Sequence, residues 1–184
     1  MAPQTSIRLT YEDYCAIPDD GRRHEIIDGE HYVNPSPATR HQLVSMRLSY
    51  ALYGHVTAHS LGHVFAAPFD VILGTHDIVE PDLIFVSNAR SAIITPKNIQ
   101  GTPDLLIEIL SKSRPDYDKR LKYQTYERHR VPEYWIVDAD RNTISVFRHS
   151  GSAFIASPVG ETLTTPHLPG FSLSLEWLFA DPVL

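Results

Sequence analysis

Three charged residues stand where apolar ones are expected, and together they form a set suited to phosphodiester hydrolysis. Glu108 interrupts Leu105-Leu-Ile-Glu-Ile-Leu110, a run that reads as buried on both faces. A buried carboxylate is costly unless it is paired or binds a cation. Asp82 stands at the mouth of a second apolar strand, Glu80-Pro-Asp-Leu-Ile-Phe-Val86. Lys122 follows on the helix expected after the Glu108 strand. It falls one turn past Asp118, so both lie on one helix face. Two carboxylates on adjacent strands suit a hard cation such as Mg²⁺ (or Mn²⁺), which takes one or two carboxylates plus waters and substrate phosphate. A neighbouring lysine can orient the attacking water or offset charge in the transition state.

The elements that must position these residues are legible from local signals. Thr10 before Tyr11–Ala16, with Asp13 three places on, predicts a short capped helix. Asp28-Gly29 between His24–Ile27 and Glu30–Val33 predicts a tight hairpin, because glycine tolerates the positive φ such a turn needs. Ser36-Pro37 predicts a helix start, with the helix running from about Pro37 to His55 and an apolar stripe that includes Leu43, Leu48 and Leu52. Val64–Leu73, Ile78–Val86, Leu105–Leu110 and Glu133–Asp138 read as strands. Ser113 and Pro115 introduce a helix over Asp116–Arg130. Thr143–Arg148 and Ala153–Ser157 form a second hairpin around Ser150-Gly151, and Ser174–Phe179 is a short terminal helix. This order predicts an α/β (α+β) fold with a mixed central sheet flanked by helices.

The 184 residues fit one domain over 1–184, with its core at about 8–180. Composition is that of a globular chain, with no repeat or low-complexity tract and no run near the roughly 20 apolar residues of a membrane helix. No basic segment followed by an apolar run opens the sequence, so no signal peptide is expected. One cysteine, Cys15, excludes an internal disulfide and a cysteine-rich zinc site, and a cytoplasmic location is the expectation. Sixteen Lys and Arg against 22 Asp and Glu leave a net charge of −6. That is not the footprint of a protein that coats nucleic acid by bulk charge, although DNA as a substrate stays open. Walker loops, G-x-S-x-G and zinc signatures are absent from the sequence.

Six segments occur in order: Glu25-Ile-Ile-Asp-Gly-Glu30; Ser36-Pro37 with His41; Glu80-Pro-Asp82; Pro103-Asp-Leu-Leu-Ile-Glu-Ile-Leu-Ser111; Asp118 with Lys122 and Tyr126; and Val131-Pro-Glu-Tyr-Trp-Ile-Val-Asp138. Together they resemble the Uma family, described as putative restriction endonucleases, within the PD-(D/E)XK nuclease superfamily. The resemblance spans roughly residues 8–180 and rests on the whole set. It implies a restriction-endonuclease-like core and a metal-dependent endonuclease hydrolysing DNA phosphodiester bonds. Asp82 and Glu108 become the metal-binding carboxylates, Glu25 an acidic residue supplied from the N-terminal part, and a homodimer the expected assembly. One departure matters. The superfamily places a lysine two residues after the acidic residue, and Leu110 stands there; the resemblance assigns its role to Lys122. A catalytically inactive nuclease-fold module binding DNA or protein is the alternative.

Each residue also has an ordinary structural reading. Glu108 could be a buried carboxylate held by an arginine or tyrosine, and Asp82 could simply begin a strand after Pro81. Lys122 could be half of a surface pair with Asp118, worth only about 0.3–0.5 kcal/mol. Glu25 could be a solvated hairpin residue. Asp104 and Asp138 read as strand-end residues, Tyr126 as helix packing and His41 as helix surface. His55, His59 and His63 share a four-residue spacing, but Gly62 breaks the run and no glutamate joins them, so a metal stripe is not expected.

Overall fold

The computed structural model describes residues 7–111 and 115–181, with helix side chains after the gap described from Arg120 onward. Helix α1 (Tyr11–Cys15) carries the expected capping box, in which the Asp13 carboxylate accepts the Thr10 amide at 2.8 Å. Strands β1 (Arg23–Ile27) and β2 (Glu30–Asn34) form the first hairpin. At its turn Asp28 and Gly29 both take positive φ (53° and 80°), as a two-residue turn of this hand requires.

Helix α2 (Thr39–Ala58) starts two residues later than expected and ends three later. Ala38 is its N-cap, without a side-chain cap, so Ser36 does not perform that role. Its buried stripe is His41, Val44, Leu48, Leu52 and Val56, with Leu43 only partly buried. The two long strands expected next are each divided. β3 (Gly62–Ala66) and β4 (Val71–Gly74) are separated by a loop containing the cis Ala67–Pro68 bond. β5 (Asp77–Val79) and β6 (Leu83–Ser87) are separated around Pro81. A 3₁₀ helix (Asn88–Ile93), β7 (Ile99–Gln100), β8 (Leu105–Ile109), α3 (Pro115–Arg128), β9 (Glu133–Asp138), β10 (Thr143–His149) and β11 (Phe154–Ser157) follow. The chain closes with β12 (Thr162–Leu163), β13 (Leu173–Ser174) and α4 (Leu175–Phe179), the last capped by the Ser174 hydroxyl.

Two main sheets result. The six-stranded sheet has the order β11-β10-β9-β8-β6-β3 and is mixed: β8 and β9 run parallel across the α3 connection, and the other pairs are antiparallel. The five-stranded sheet, β2-β1-β5-β4-β7, collects the hairpin and the inner pieces of the divided strands. Side chains alternate across a strand, so β8 feeds two cores. Leu105, Ile107 and Ile109 pack with Val44, Leu48, Leu52 and Val56 of α2. Leu106 faces the other way, into a core with Ile27, Val79, Tyr126 and Tyr134. Glu108 shares the Leu106 parity, so it points toward the seam where the two sheets and α3 meet.

Candidate active site

Strand register brings the two expected carboxylates together. Leu83 pairs with Ile107 and Ile84 with Leu106 in the antiparallel β6–β8 ladder. One step outward, Asp82 therefore stands opposite Glu108, and by alternation both project from the same face. Both line one small cleft, with Glu25 and Arg23 of β1, Leu110, and Lys122 of α3.

Glu25 is buried, at 1% exposure, and its bonds show why it is tolerated there. Its Oε1 accepts the Glu80 amide at 2.6 Å and Lys122 Nζ at 2.5 Å; its Oε2 accepts Asn34 Nδ2 at 2.9 Å. Burial opposes its charge, but Lys122 and these donors outweigh that and hold the carboxyl below its usual range. The solvated-hairpin reading of Glu25 is thus overturned. Lys122 also reaches Glu108 Oε1 at 2.9 Å and lies 3.5 Å from the Tyr126 hydroxyl. It is buried, which corrects the surface-pair reading; the Asp118 side chain lies outside the described residues, as does Ser113. Flanked by two carboxylates, the Lys122 ammonium is held charged despite its burial.

Glu108 Oε1 takes a second donor, the Tyr126 hydroxyl at 2.5 Å. Tyr126 is at once core packing and a site contact. Burial, with the charges of Asp82 and Glu25 nearby, pushes the Glu108 carboxyl up to about 7 in spite of Lys122. Asp82 is held by Arg23 Nη1 at 3.0 Å on Oδ1, and by His41 Nε2 at 3.2 Å and the Ile109 amide at 2.8 Å on Oδ2. These donors outweigh burial and keep it ionised. Asp82 is therefore more than a strand-start residue.

Arg23 and His41 are site residues that the sequence reading missed. His41 was expected on the helix surface, yet it lies on the buried stripe of α2, spaced with Val44 and Leu48. A histidine in phase with that stripe was the available signal. Arg23 carried none, since its position on the cleft side of β1 depends on how the hairpin docks. The other expectations hold as structural roles. Asp104 accepts the Ser87 amide at 2.7 Å, and Asp138 accepts the Arg141 amide at 3.0 Å. His55 and His59 pack together near the end of α2, while His63 lies on β3. Cys15 is exposed.

A divalent cation fits the Asp82–Glu108 pair by three observations. The donors are hard oxygens, and the cleft, at about 60 Å³, has room for an ion and its waters. The Tyr134 hydroxyl beside it is fully buried with no protein partner among the described residues. Among those residues no three His, Cys, Asp or Glu side chains gather as a ready ligand set. Waters would have to complete the shell, which is the habit of Mg²⁺.

No curated protein matches the chain. A crystal structure of a putative nuclease belonging to DUF820 from Anabaena variabilis ATCC 29413 superposes with a TM-score of 0.77. The match covers 93% of this chain and 97% of that one at 19% identity, a likeness of fold. The model of the Uma2 family, described as putative restriction endonuclease, matches residues 11–176, and over that span the chain belongs to this family.

Proposed function

We propose that this protein is a metal-dependent endonuclease that hydrolyses DNA phosphodiester bonds, with Asp82 and Glu108 holding Mg²⁺ (or Mn²⁺). One observation carries this reading: Asp82 and Glu108 face each other across neighbouring strands with the Lys122 ammonium already on Glu108. A cation bound there would lower the pKa of its water and neutralise charge building on the phosphate. The chain's own groups do the rest. His41 and the Ile109 amide fix the Asp82 carboxylate, and Tyr126 fixes Glu108. Lys122 lines the same cleft as Leu110, the residue two places after Glu108, and its compact ammonium can donate to the attacking water or to phosphate. Glu25 holds that ammonium in place. Arg23 offers further donors to a phosphate oxygen. Cleavage of both strands calls for two sites, and a homodimer in the cytoplasm remains part of the proposal. The exposed row Met46, Tyr50 and Tyr53 on α2, with Trp177, is an apolar surface available to it.

The inactive-module reading has its own support: Leu110 occupies the superfamily's lysine position, and Asp82 is already neutralised by Arg23. Plasmid DNA incubated with Mg²⁺, with Mn²⁺ and with EDTA decides between them. Nicking or linearisation that needs the metal, and is lost in Asp82→Asn, supports the enzyme. Intact plasmid under every metal condition, from a folded protein, refutes it.

A further inference from the structure

A second cavity, of about 210 Å³, is also lined by Asp82. It shares Arg23, Asn34, His41 and Asp82 with the carboxylate cleft, so the two are halves of one groove. Beyond that shared wall its lining is mixed: Ala67 and Pro68 are apolar, while Arg22 before the hairpin and Gln42 and Ser45 from α2 supply polar groups.

Two features point to a ligand. His41 is only 7% exposed, and its Nδ1 has no partner among the described residues, while its Nε2 lies on Asp82. A buried ring nitrogen left open asks for an explanation. The arginines are also incompletely used. Among the described residues, Arg23 gives Nη1 to Asp82, and Arg22 gives Nε and Nη2 to Asp20, of the five donors each carries. Guanidinium donors match phosphate oxygens, and a glutamine amide with a neighbouring hydroxyl matches the mixed donor and acceptor edge of a base.

We propose that this cavity seats one nucleotide of the substrate strand, its phosphate toward Arg22 and Arg23 and its base against Gln42 and Ser45. The proposal rests on the nuclease reading of the adjoining cleft, which places the bond to be cut at the Asp82 wall.

The test needs no catalysis. Thymidine 5′-monophosphate and inorganic phosphate are titrated calorimetrically into the whole protein in EDTA. Thymidine monophosphate is expected to bind at least about tenfold more tightly than phosphate, the effect of one good base contact. Ser45→Trp, which fills the cavity, should erase that advantage while phosphate binding persists. Gln42→Ala, a milder change at an exposed position, should reduce it by about tenfold. Equal binding of the nucleotide and phosphate overturns the proposal, as does nucleotide binding unchanged in both folded variants. A protein that binds the nucleotide but cuts no plasmid keeps the subsite and refutes the nuclease reading. One that cuts plasmid equally well with Ser45→Trp keeps the nuclease reading and refutes the subsite.

Discussion

Lys122 is the residue on which stability and, in the proposed nuclease, chemistry turn. Its ammonium is the cation shared by Glu25, at 1% exposure, and Glu108. Breaking a buried pair by removing one partner leaves an uncompensated charge and costs about 3–5 kcal/mol. Lys122→Ala is therefore expected to lose stability on that scale in denaturant melts and to slow cleavage by at least about 10²-fold, the effect of one positioned catalytic group. Adding Glu25→Gln to that variant removes the more deeply buried of the two stranded carboxylates. The double variant should regain much of the stability and none of the cleavage. Recovery of both would make Lys122 a structural counter-ion only. The chemistry of this pair was half legible in the sequence. Glu108 announces itself as a charge inside an apolar run, but the burial of Lys122 depends on α3 turning that face toward the seam. Arg23 was hidden for the same reason, since nothing local distinguishes a cleft-facing arginine from a solvated one, whereas the phase of His41 with the buried stripe of α2 was there to be read.

Elements were legible where a local signal fixes them, and less so where tertiary packing cuts a strand. The Asp28-Gly29 turn and the capping box of α1 need only nearby residues. The runs Val64–Leu73 and Ile78–Val86 are mostly apolar, broken by Pro68 and Asp70 and by Glu80, Pro81 and Asp82, and each is divided so that its parts join different sheets. The five-stranded sheet follows from that division, and apolar periodicity does not report it. One polar residue ties the sheet to its neighbours. Asp77 on β5 accepts the Asp28 amide at 2.8 Å and Arg128 at 2.8 Å on Oδ1, and His129 at 2.7 Å on Oδ2. Burial alone would raise its pKa. His129, the Asp28 amide and Arg128 outweigh burial and hold the carboxyl at about 2, below the ordinary 3.8. A depressed carboxyl stabilises the fold above its unfolded pKa, and that stability is lost as pH falls from about 4 toward 2. Asp77→Asn should thus cost about 1.5–3 kcal/mol at pH 7, the scale of hydrogen bonds to a charged group. It should also flatten the acid limb of the stability profile over that window. An unchanged acid limb would show that the link between β5, the first hairpin and the end of α3 adds no stability.

At the scale of the whole molecule, the candidate site is a seam. Arg23 and Glu25 come from the five-stranded sheet, Asp82 from the start of β6, Glu108 from β8 in the six-stranded sheet, and Lys122 from the helix joining β8 to β9. The ion pairs Arg23–Asp82 and Lys122–Glu25 therefore bind separate layers together. A cation held by Asp82 and Glu108 binds only where the layers are assembled, so it stabilises the native state by mass action, by about 2.7 kcal/mol at a hundred times its dissociation constant. For a chain of 184 residues each kcal/mol raises the melting temperature by roughly 2–4 °C. Saturating Mg²⁺ or Mn²⁺ is therefore expected to raise it by about 5–10 °C, reversibly with EDTA. Carboxylates elsewhere on this acidic surface also attract cations, so the response must be localised. Asp82→Asn and Glu108→Gln should each abolish the rise. A wild-type melt indifferent to both metals would leave the seam a purely protein-built ion network, the state in which a nuclease fold binds without cutting. A rise that survives both substitutions would place the metal elsewhere and remove Asp82 and Glu108 from its coordination.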